Sequence, residues 1–163
     1  MNITLIGMAG AGKSTIGKKL AAALNYKFID IDKLIEQKAK QKLADIILNK
    51  GEKIFKDIEE KAVLGLKNIN DAIISPGGSI IYSEKVMQFL KKISVVVFLD
   101  VPFESIQKRL TGERIKCIIG IKKKNLRELF EERLALYKKY ADIIVEPTDI
   151  DYAVSEIMRL TKP

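Results

Sequence analysis

The stretch that most limits how this chain can fold is residues 7–15, which read GMAGAGKST and match the pattern G-x-x-x-x-G-K-[ST]. This stretch follows a short apolar run, residues 3–6, and precedes a segment with the apolar spacing of a helix. A strand, a glycine-rich turn and a helix in this order let backbone N–H groups and the helix N-terminus surround phosphate groups. We therefore predict a phosphate-binding loop (P-loop) in an α/β fold, in preference to a glycine-rich turn without a ligand.

Each residue type in this loop has an expected task. The Lys13 ammonium would reach the β- and γ-phosphates of a nucleoside triphosphate, and the Ser14 hydroxyl would bind Mg²⁺. The glycines keep side chains away from the bound phosphates. The ATP-binding residues of the loop are predicted to be Gly10, Ala11, Gly12, Lys13, Ser14 and Thr15.

Several classes of protein share such a loop: small-molecule kinases, nucleotide kinases, GTPase switches and motor ATPases. A GTPase would carry N/T-K-x-D after a later strand, and the sequence has no such motif. Residues 95–100 (VVVFLD) could be the acidic strand of a motor ATPase, but Asp100 leads directly into Val101 and Pro102. Asp30 also competes for the metal role from a strand nearer the loop in sequence. A small kinase with a lid fits the length of 163 residues best.

Apolar runs alternate with helical periodicity along the whole chain, which predicts strands at residues 3–6, 27–29, 72–75, 95–99 and 143–145. Runs without polar alternation are typical of parallel strands buried on both faces. We predict one domain over residues 1–163, of the P-loop kinase type, with three α/β/α layers and a five-stranded parallel sheet in the order 2-3-1-4-5. Residues 111–124 lack a long periodic face and are predicted to form a mobile surface loop, called the lid below.

The amino-acid composition limits the classes of partner and of chemistry that the chain can have. Twenty-nine basic and 21 acidic residues give a net charge of +8, but they are interspersed, which favours an anionic small molecule over nucleic acid. Histidine is absent, which excludes histidine acid–base catalysis. The single Cys117 permits no internal disulfide, and no apolar run reaches the roughly 18 residues of a membrane span. We expect a cytoplasmic monomer without a membrane partner.

A second acidic motif, FIDID at residues 28–32, ends the second predicted strand. Because alternate strand residues point the same way, Asp30 and Asp32 would share one side beside the P-loop. One carboxylate could hold Mg²⁺ while the other accepts the proton of an attacking hydroxyl. The alternative is that Asp32 caps a helix that begins at Lys33.

These motifs, with GEKIFKDIEEKAV from Gly51, the glycine turn at residues 77–79 and EERLALYKKYAD from Glu131, resemble shikimate kinase in order and spacing. The resemblance covers nearly the whole chain. It implies an ATP- and Mg²⁺-dependent kinase that phosphorylates the 3-hydroxyl of shikimate, a small carboxylated polyol, in aromatic amino-acid biosynthesis. A kinase for quinate or gluconate, and a non-catalytic nucleotide-binding module, are the alternatives.

The resemblance also implies the role of each site residue. Arg109 would lie near adenine, Arg114 or Lys116 of the lid would act on the transferred phosphate, and Asp32 would contact the acceptor hydroxyls. The predicted sets are Lys13, Asp32 and Arg114 for catalysis, Ser14 and Asp30 for the metal, Arg109 and Arg114 for ATP beyond the loop, and Asp32, Lys56, Gly77, Gly78 and Arg133 for the acceptor.

The chain departs from the family pattern at four places. Lys56 stands where the family has an arginine, Pro76 replaces the first glycine of a triplet, and Ala135 replaces a proline. The lid reads RIKCII in place of an R-P-L-L motif. Three of these departures touch the acceptor side, so the phosphate donor is better defined than the acceptor.

Arg133 can be placed without the resemblance. On a helical wheel of residues 126–140, drawn at about 100° per residue, Arg133 falls among Leu126, Phe130 and Tyr137. A charge that faces inward is costly unless an anion meets it. We therefore predict that Arg133 binds a substrate carboxylate or phosphate, the alternative being a structural ion pair or a snorkelling side chain.

Overall fold

A computed structural model describes residues 1–161, apart from the side chain of Glu113. One five-stranded parallel sheet in the order β2-β3-β1-β4-β5 forms its centre, which confirms the predicted fold class and strand order. Each predicted strand agrees with the observed one to within a residue at either end. The strands are β1 (Asn2–Ile6), β2 (Lys27–Asp30), β3 (Ala72–Ser75), β4 (Val95–Leu99) and β5 (Ile143–Val145).

Helices cover both faces of the sheet, and every residue of β1 is therefore buried. The third helix is interrupted at Gly51, whose φ of 82° is not helical. A short 3₁₀ helix, Ile80–Tyr82, follows β3. The α-helices are α1 (Lys13–Leu24), α2 (Ile31–Ala39), α3 (Leu43–Leu64), α4 (Glu84–Ile93), α5 (Phe103–Arg109), α6 (Glu113–Lys116), α7 (Leu126–Tyr140) and α8 (Ile150–Leu160).

The parallel arrangement brings three chain segments to one edge of the sheet. β1 ends at the P-loop, β2 ends at Asp30, and β3 ends just before Pro76. Asp30 and Ser75 are direct partners in the register of β2 and β3. Ligands of open parallel sheets bind beyond the carboxyl ends of the strands, so this edge is where a site is expected.

The structure corrects the reasoning about the two aspartates. β2 ends at Asp30, and Asp32 lies in the first turn of α2, so the two residues do not alternate along one strand. Asp30, and not Asp32, is the N-cap, because its side chain accepts a hydrogen bond from the Lys33 backbone N–H at 3.3 Å. Because Asp30 caps α2, the helix begins at Ile31 and the strand does not continue to Asp32.

The lid is also more structured than predicted. It contains the short helix α6, and Ile118 and Ile119 are buried in the core. The Gly120 backbone N–H donates to the Glu52 carboxylate of α3 at 2.9 Å. The prediction of a surface loop is therefore wrong for the middle of the lid, where two apolar side chains pack against the domain.

Among residues 1–161, none of the helices combines the length and the apolar character that crossing a bilayer requires.

The first strand makes a testable contribution to stability through the buried Asn2. Its amide nitrogen donates to the carbonyls of Ile69 and Ile93 at 2.8 and 2.9 Å, and its oxygen accepts from the Ala72 N–H at 3.2 Å. Asn2→Ala leaves these backbone groups without partners, so we expect the free energy of unfolding to fall by about 3 kcal/mol in urea denaturation. Asn70→Ala, at an exposed position, is the control and should change it by less than about 0.5 kcal/mol. Equal losses in the two variants would contradict this account.

Candidate active site

The P-loop is shaped to receive an anion. Gly12, the N-cap of α1, has a φ of 91°, a left-handed conformation that residues with a side chain rarely adopt. The Lys13 ammonium donates to the carbonyls of Gly7 and Met8 at 2.8 and 3.0 Å. Its desolvation lowers the pKa of Lys13 to about 8, against the opposing effect of the Asp32 carboxylate. A bound phosphate would stabilise the charged form of Lys13 and so offset part of the free-energy cost of its desolvation.

Two cavities adjoin the P-loop and collect the residues predicted to bind ATP. One, of about 310 Å³, lies at the outer side of the loop, where the Arg109 guanidinium donates to the Gly10 carbonyl at 3.0 Å. The other, of about 430 Å³, is called the phosphate cavity below. The first is lined by Gly10, Ala11, Gly12, Thr15, Arg109 and Arg114, among others, and the phosphate cavity by Lys13, Ser14, Asp30, Asp32, Gly77 and Arg114, among others.

Two oxygens at the phosphate cavity suit a magnesium ion. The Ser14 hydroxyl donates to the Asp30 carboxylate at 3.1 Å, so both groups lie in one place. Within residues 1–161, no group of three or more acidic or cysteine side chains could enclose a metal. Because Mg²⁺ in kinases is held by one or two protein oxygens together with substrate phosphates and water, this pair fits such an ion.

A smaller cavity, of about 110 Å³, opens beside the phosphate cavity and is called the acceptor cavity below. The two cavities share six lining residues: Ala9, Asp32, Gly77, Gly78, Arg114 and Cys117. Glu59 and Arg133 line the acceptor cavity but not the phosphate cavity. A small molecule there would lie next to a phosphate held by the P-loop.

Two carboxylate oxygens in the acceptor cavity are left without hydrogen bonds. Asp32 Oδ1 and Glu59 Oε1 are buried, and within residues 1–161 neither has a hydrogen-bond partner. A side chain at Gly77 would fill the space between them, since its Cβ would lie 2.4 Å from Glu59 Oε1 and 3.3 Å from Asp32 Oδ1. Buried acceptors without donors are costly, so this space is suited to a ligand that supplies hydroxyl groups.

Glu59 is a site residue that our sequence reasoning missed. Its other oxygen accepts from the Ser79 hydroxyl at 2.9 Å. Burial raises the pKa of Glu59 to about 7, and the nearby Asp32 carboxylate adds to the effect. Burial likewise raises the pKa of Asp32 to about 6, with Lys13 opposing it. The sequence does carry a signal for Glu59, which lies one helical turn after Phe55 on the buried face of α3. Arg133 likewise lies on the buried face of α7.

Arg133 faces inward as the helical wheel predicts, with 1% of its surface exposed. Its Nη2 donates to the Ile119 carbonyl of the lid at 2.6 Å, and its Nε donates to the Tyr82 hydroxyl at 3.4 Å. Among the described side chains, no carboxylate pairs with it at ion-pair distance, so the structural ion pair considered above is not observed. Its charge therefore faces the acceptor cavity, where it acts on the Glu59 carboxylate without forming an ion pair with it.

Lys56 does not reach the acceptor cavity. It is exposed on α3, and its ammonium lies 5.0 Å from the centre of the Tyr82 ring. It lines a surface depression together with Tyr82, and this depression shares Glu59 and Ser79 with the acceptor cavity. The expected contact between Lys56 and an acceptor inside the cavity is therefore corrected to a place at the rim, because position 56 lies on the solvent side of its helix.

The raised pKa of Glu59 makes stability depend on pH. Glu59 has a pKa near 7 in the folded protein against its usual 4.5, so the folded state binds more protons between these values. The free energy of unfolding should then fall as the pH rises from about 5 to 7.5, by on the order of 2 kcal/mol, with Asp32 acting in the same direction. Glu59→Gln should reduce this slope in urea denaturation at the two pH values. The exposed Glu131→Gln should leave it unchanged, and an unaltered slope in Glu59→Gln would refute the assignment.

Comparison with known protein sequences agrees with this geometry. The family model described as "Shikimate kinase" matches residues 9–161. A shikimate kinase from Sulfurihydrogenibium sp. is 39% identical over 137 residues, which cover 84% of this chain and 82% of that protein. A shikimate kinase from Caldanaerobacter subterraneus subsp. tengcongensis is 32% identical over 162 residues, which cover 97% of this chain and 94% of that protein.

Solved structures give the same result. Shikimate kinase from Acinetobacter baumannii in complex with shikimate has a TM-score of 0.88 and 30% identity, over 98% of this chain and 91% of that one. Shikimate kinase from Aquifex aeolicus has a TM-score of 0.84 and 32% identity, over 98% of this chain and 95% of that one. The extent of these matches, over both sequence and fold, shows that the chain belongs to the shikimate kinase family.

Proposed function

We propose that this protein transfers the γ-phosphoryl group of ATP to the 3-hydroxyl of shikimate, with Mg²⁺ as cofactor. The observation that carries the proposal is the shared wall of the phosphate and acceptor cavities, which includes Asp32, Gly77, Gly78 and Arg114. It would bring a phosphate on the P-loop and a hydroxyl in the acceptor cavity together. Kinase catalysis consists mainly of such positioning and of charge stabilisation.

On the donor side, Lys13 exchanges its contacts with the backbone carbonyls for the β- and γ-phosphates. Ser14 and Asp30 would hold Mg²⁺, which neutralises phosphate charge when bound. Arg114 lines all three cavities around the P-loop, so its guanidinium is placed to stabilise the charge of the transferring group. Arg109 closes the outer, nucleotide side of the loop.

On the acceptor side, Asp32 accepts the proton of the attacking hydroxyl, and the free Glu59 oxygen accepts from a second hydroxyl. Arg133 binds the carboxylate of the acceptor. Its Nη1 carries two N–H groups, and the Met8 sulfur at 4.0 Å is a weak acceptor, so one N–H remains for the carboxylate even with the Tyr137 hydroxyl close by. Gly77 and Gly78 keep the cavity free of side chains: a Cβ at Gly78 would lie 3.2 Å from Arg133 Nη1.

We also propose that the chain is one domain and works as a monomer in the cytoplasm, where ATP is supplied. Every residue assigned to the reaction comes from the same sheet edge and its adjoining helices. The substrates are small molecules, and no step requires nucleic acid or a membrane.

The function is tested by ADP release in the presence of shikimate, quinate or gluconate. We expect shikimate to stimulate release most, and Lys13→Ala to reduce the stimulated rate by more than about 100-fold while circular dichroism shows an intact fold. Lys18→Ala, at an exposed position of α1, is the matched control and should retain the wild-type rate. Slow hydrolysis that no acceptor stimulates would indicate a nucleotide-binding module instead, and stimulation by gluconate or quinate alone would indicate a different acceptor.

The position of Lys56 at the rim of the cavity leads to a separate prediction about the KM for shikimate. An exposed ammonium attracts the acceptor carboxylate through water, so Lys56→Ala should raise the KM for shikimate about two- to threefold, with little change in the KM for ATP. Added salt should abolish the difference. Steady-state kinetics with Lys53→Ala, another exposed lysine of α3, provide the control. A change greater than tenfold would mean that Lys56 enters the cavity, and no change at all would remove it from the site.

A further inference from the structure

Tyr82, at the end of the 3₁₀ helix, contacts the buried arginine of the acceptor cavity in two ways. The Arg133 guanidinium lies 5.4 Å from the centre of the Tyr82 ring, within the range of a cation–π interaction. The Tyr82 hydroxyl also accepts a hydrogen bond from Arg133 Nε at 3.4 Å. Tyr82 itself does not line the acceptor cavity. Whatever it does for a ligand must therefore pass through Arg133.

The direction of these hydrogen bonds is fixed by the number of protons. A phenol has one O–H, and Arg133 Nε can only donate. The Tyr82 O–H must therefore donate to the Glu132 carboxylate, whose Oε1 lies 2.5 Å away. Glu132 is in turn paired with Lys124 at the end of the lid. Burial and the Glu132 carboxylate raise the pKa of Tyr82, which keeps its proton in place.

These contacts leave one side of the Arg133 guanidinium for a ligand. Nε is held by Tyr82 and Nη2 by the Ile119 carbonyl, whereas Nη1 faces the cavity wall at Gly78, beside the Met8 sulfur and the Tyr137 hydroxyl. Within residues 1–161, Arg133 is also the one buried arginine or lysine. Arg114 also lines the acceptor cavity, but it is exposed, so the orientation of a carboxylate bound inside depends on how firmly the Arg133 guanidinium is held.

We propose that Tyr82 is a positioning residue for the acceptor carboxylate, whose hydroxyl, oriented by Glu132, holds Arg133 in the one orientation that presents Nη1 to the cavity. Tyr82 thereby sets the preference for carboxylated over neutral acceptors. The inference rests on the function proposed above, since it takes the acceptor to be a carboxylated polyol.

The test is Tyr82→Phe, which removes the hydroxyl and keeps the ring over Arg133. The loss of one hydrogen bond to a charged group should raise the KM for shikimate about five- to tenfold. The KM for ATP, and kcat at saturating shikimate, should stay within about twofold, because the phosphate machinery is untouched. The ratio of kcat/KM for shikimate to that for its neutral methyl ester should fall by about the same factor as the KM rises.

Two further variants separate positioning from general packing. Tyr26→Phe removes a phenol hydroxyl at the opposite end of the sheet, before β2, and should leave all these constants unchanged. Glu132→Gln should raise the KM for shikimate, and the double variant with Tyr82→Phe should be no worse than Tyr82→Phe alone, because both substitutions break the same chain of hydrogen bonds. Thermal unfolding verifies that each variant is folded.

The outcomes distinguish this inference from the proposed function. If wild-type protein phosphorylates shikimate while Tyr82→Phe keeps the wild-type KM and ester selectivity, the role of Tyr82 is overturned and the function stands. A loss of kcat and KM for both acceptors alike, or strict additivity with Glu132→Gln, also overturns it, because either result indicates packing alone. If wild-type protein releases no ADP in response to shikimate, the proposed function and this inference fail together.

Discussion

The parallel pairing of β1 with both β3 and β4 is the constraint on which the site depends. Parallel strands all end at the same edge, so the turn after β1, the cap after β2 and the glycine turn after β3 are brought together without any direct sequence connection. The central strands β1, β3 and β4 are almost wholly buried, and the backbone hydrogen bonds between the strands define the register. The P-loop, Asp30 and Gly77 therefore rest on a framework that does not need the ligand to form.

This framework holds an arrangement of charge that is unfavourable for the empty protein. Lys13 is desolvated, Asp32 and Glu59 have raised pKa values and unpartnered oxygens, and Arg133 forms no ion pair with a described carboxylate. A phosphate, a carboxylate and hydroxyl groups would each relieve one of these deficits. The site is thus preorganised for its ligands at the expense of stability, which the surrounding core supplies.

The features that sequence could predict are those encoded by neighbouring residues. The strands are uninterrupted apolar runs, the P-loop is contiguous, and the wheel of α7 places Arg133 inside. The pairing of Asp30 and Asp32 on one strand was wrong, because a single N-cap moved the boundary of α2. The buried part of the lid was missed, since Ile118 and Ile119 are too few to show a period and are buried by tertiary contacts. The contact of Tyr82 with Arg133 joins residues 51 positions apart and has no local signal.

The donor side of the site is easier to predict from sequence than the acceptor side, for a physical reason. In the proposed complex the phosphates would be bound by backbone groups of one continuous turn, so few substitutions there are compatible with the fold. The acceptor cavity is assembled from residues of α2, α3, the turn after β3, the lid and α7, each carried on its own element. A lysine at position 56 can therefore lie at the rim on the Tyr82 ring while Arg133, held from α7 by Tyr82 and the lid, retains the buried positive charge. The departure at position 56 is compatible with the acceptor side of the site because positive charge is supplied there from more than one element.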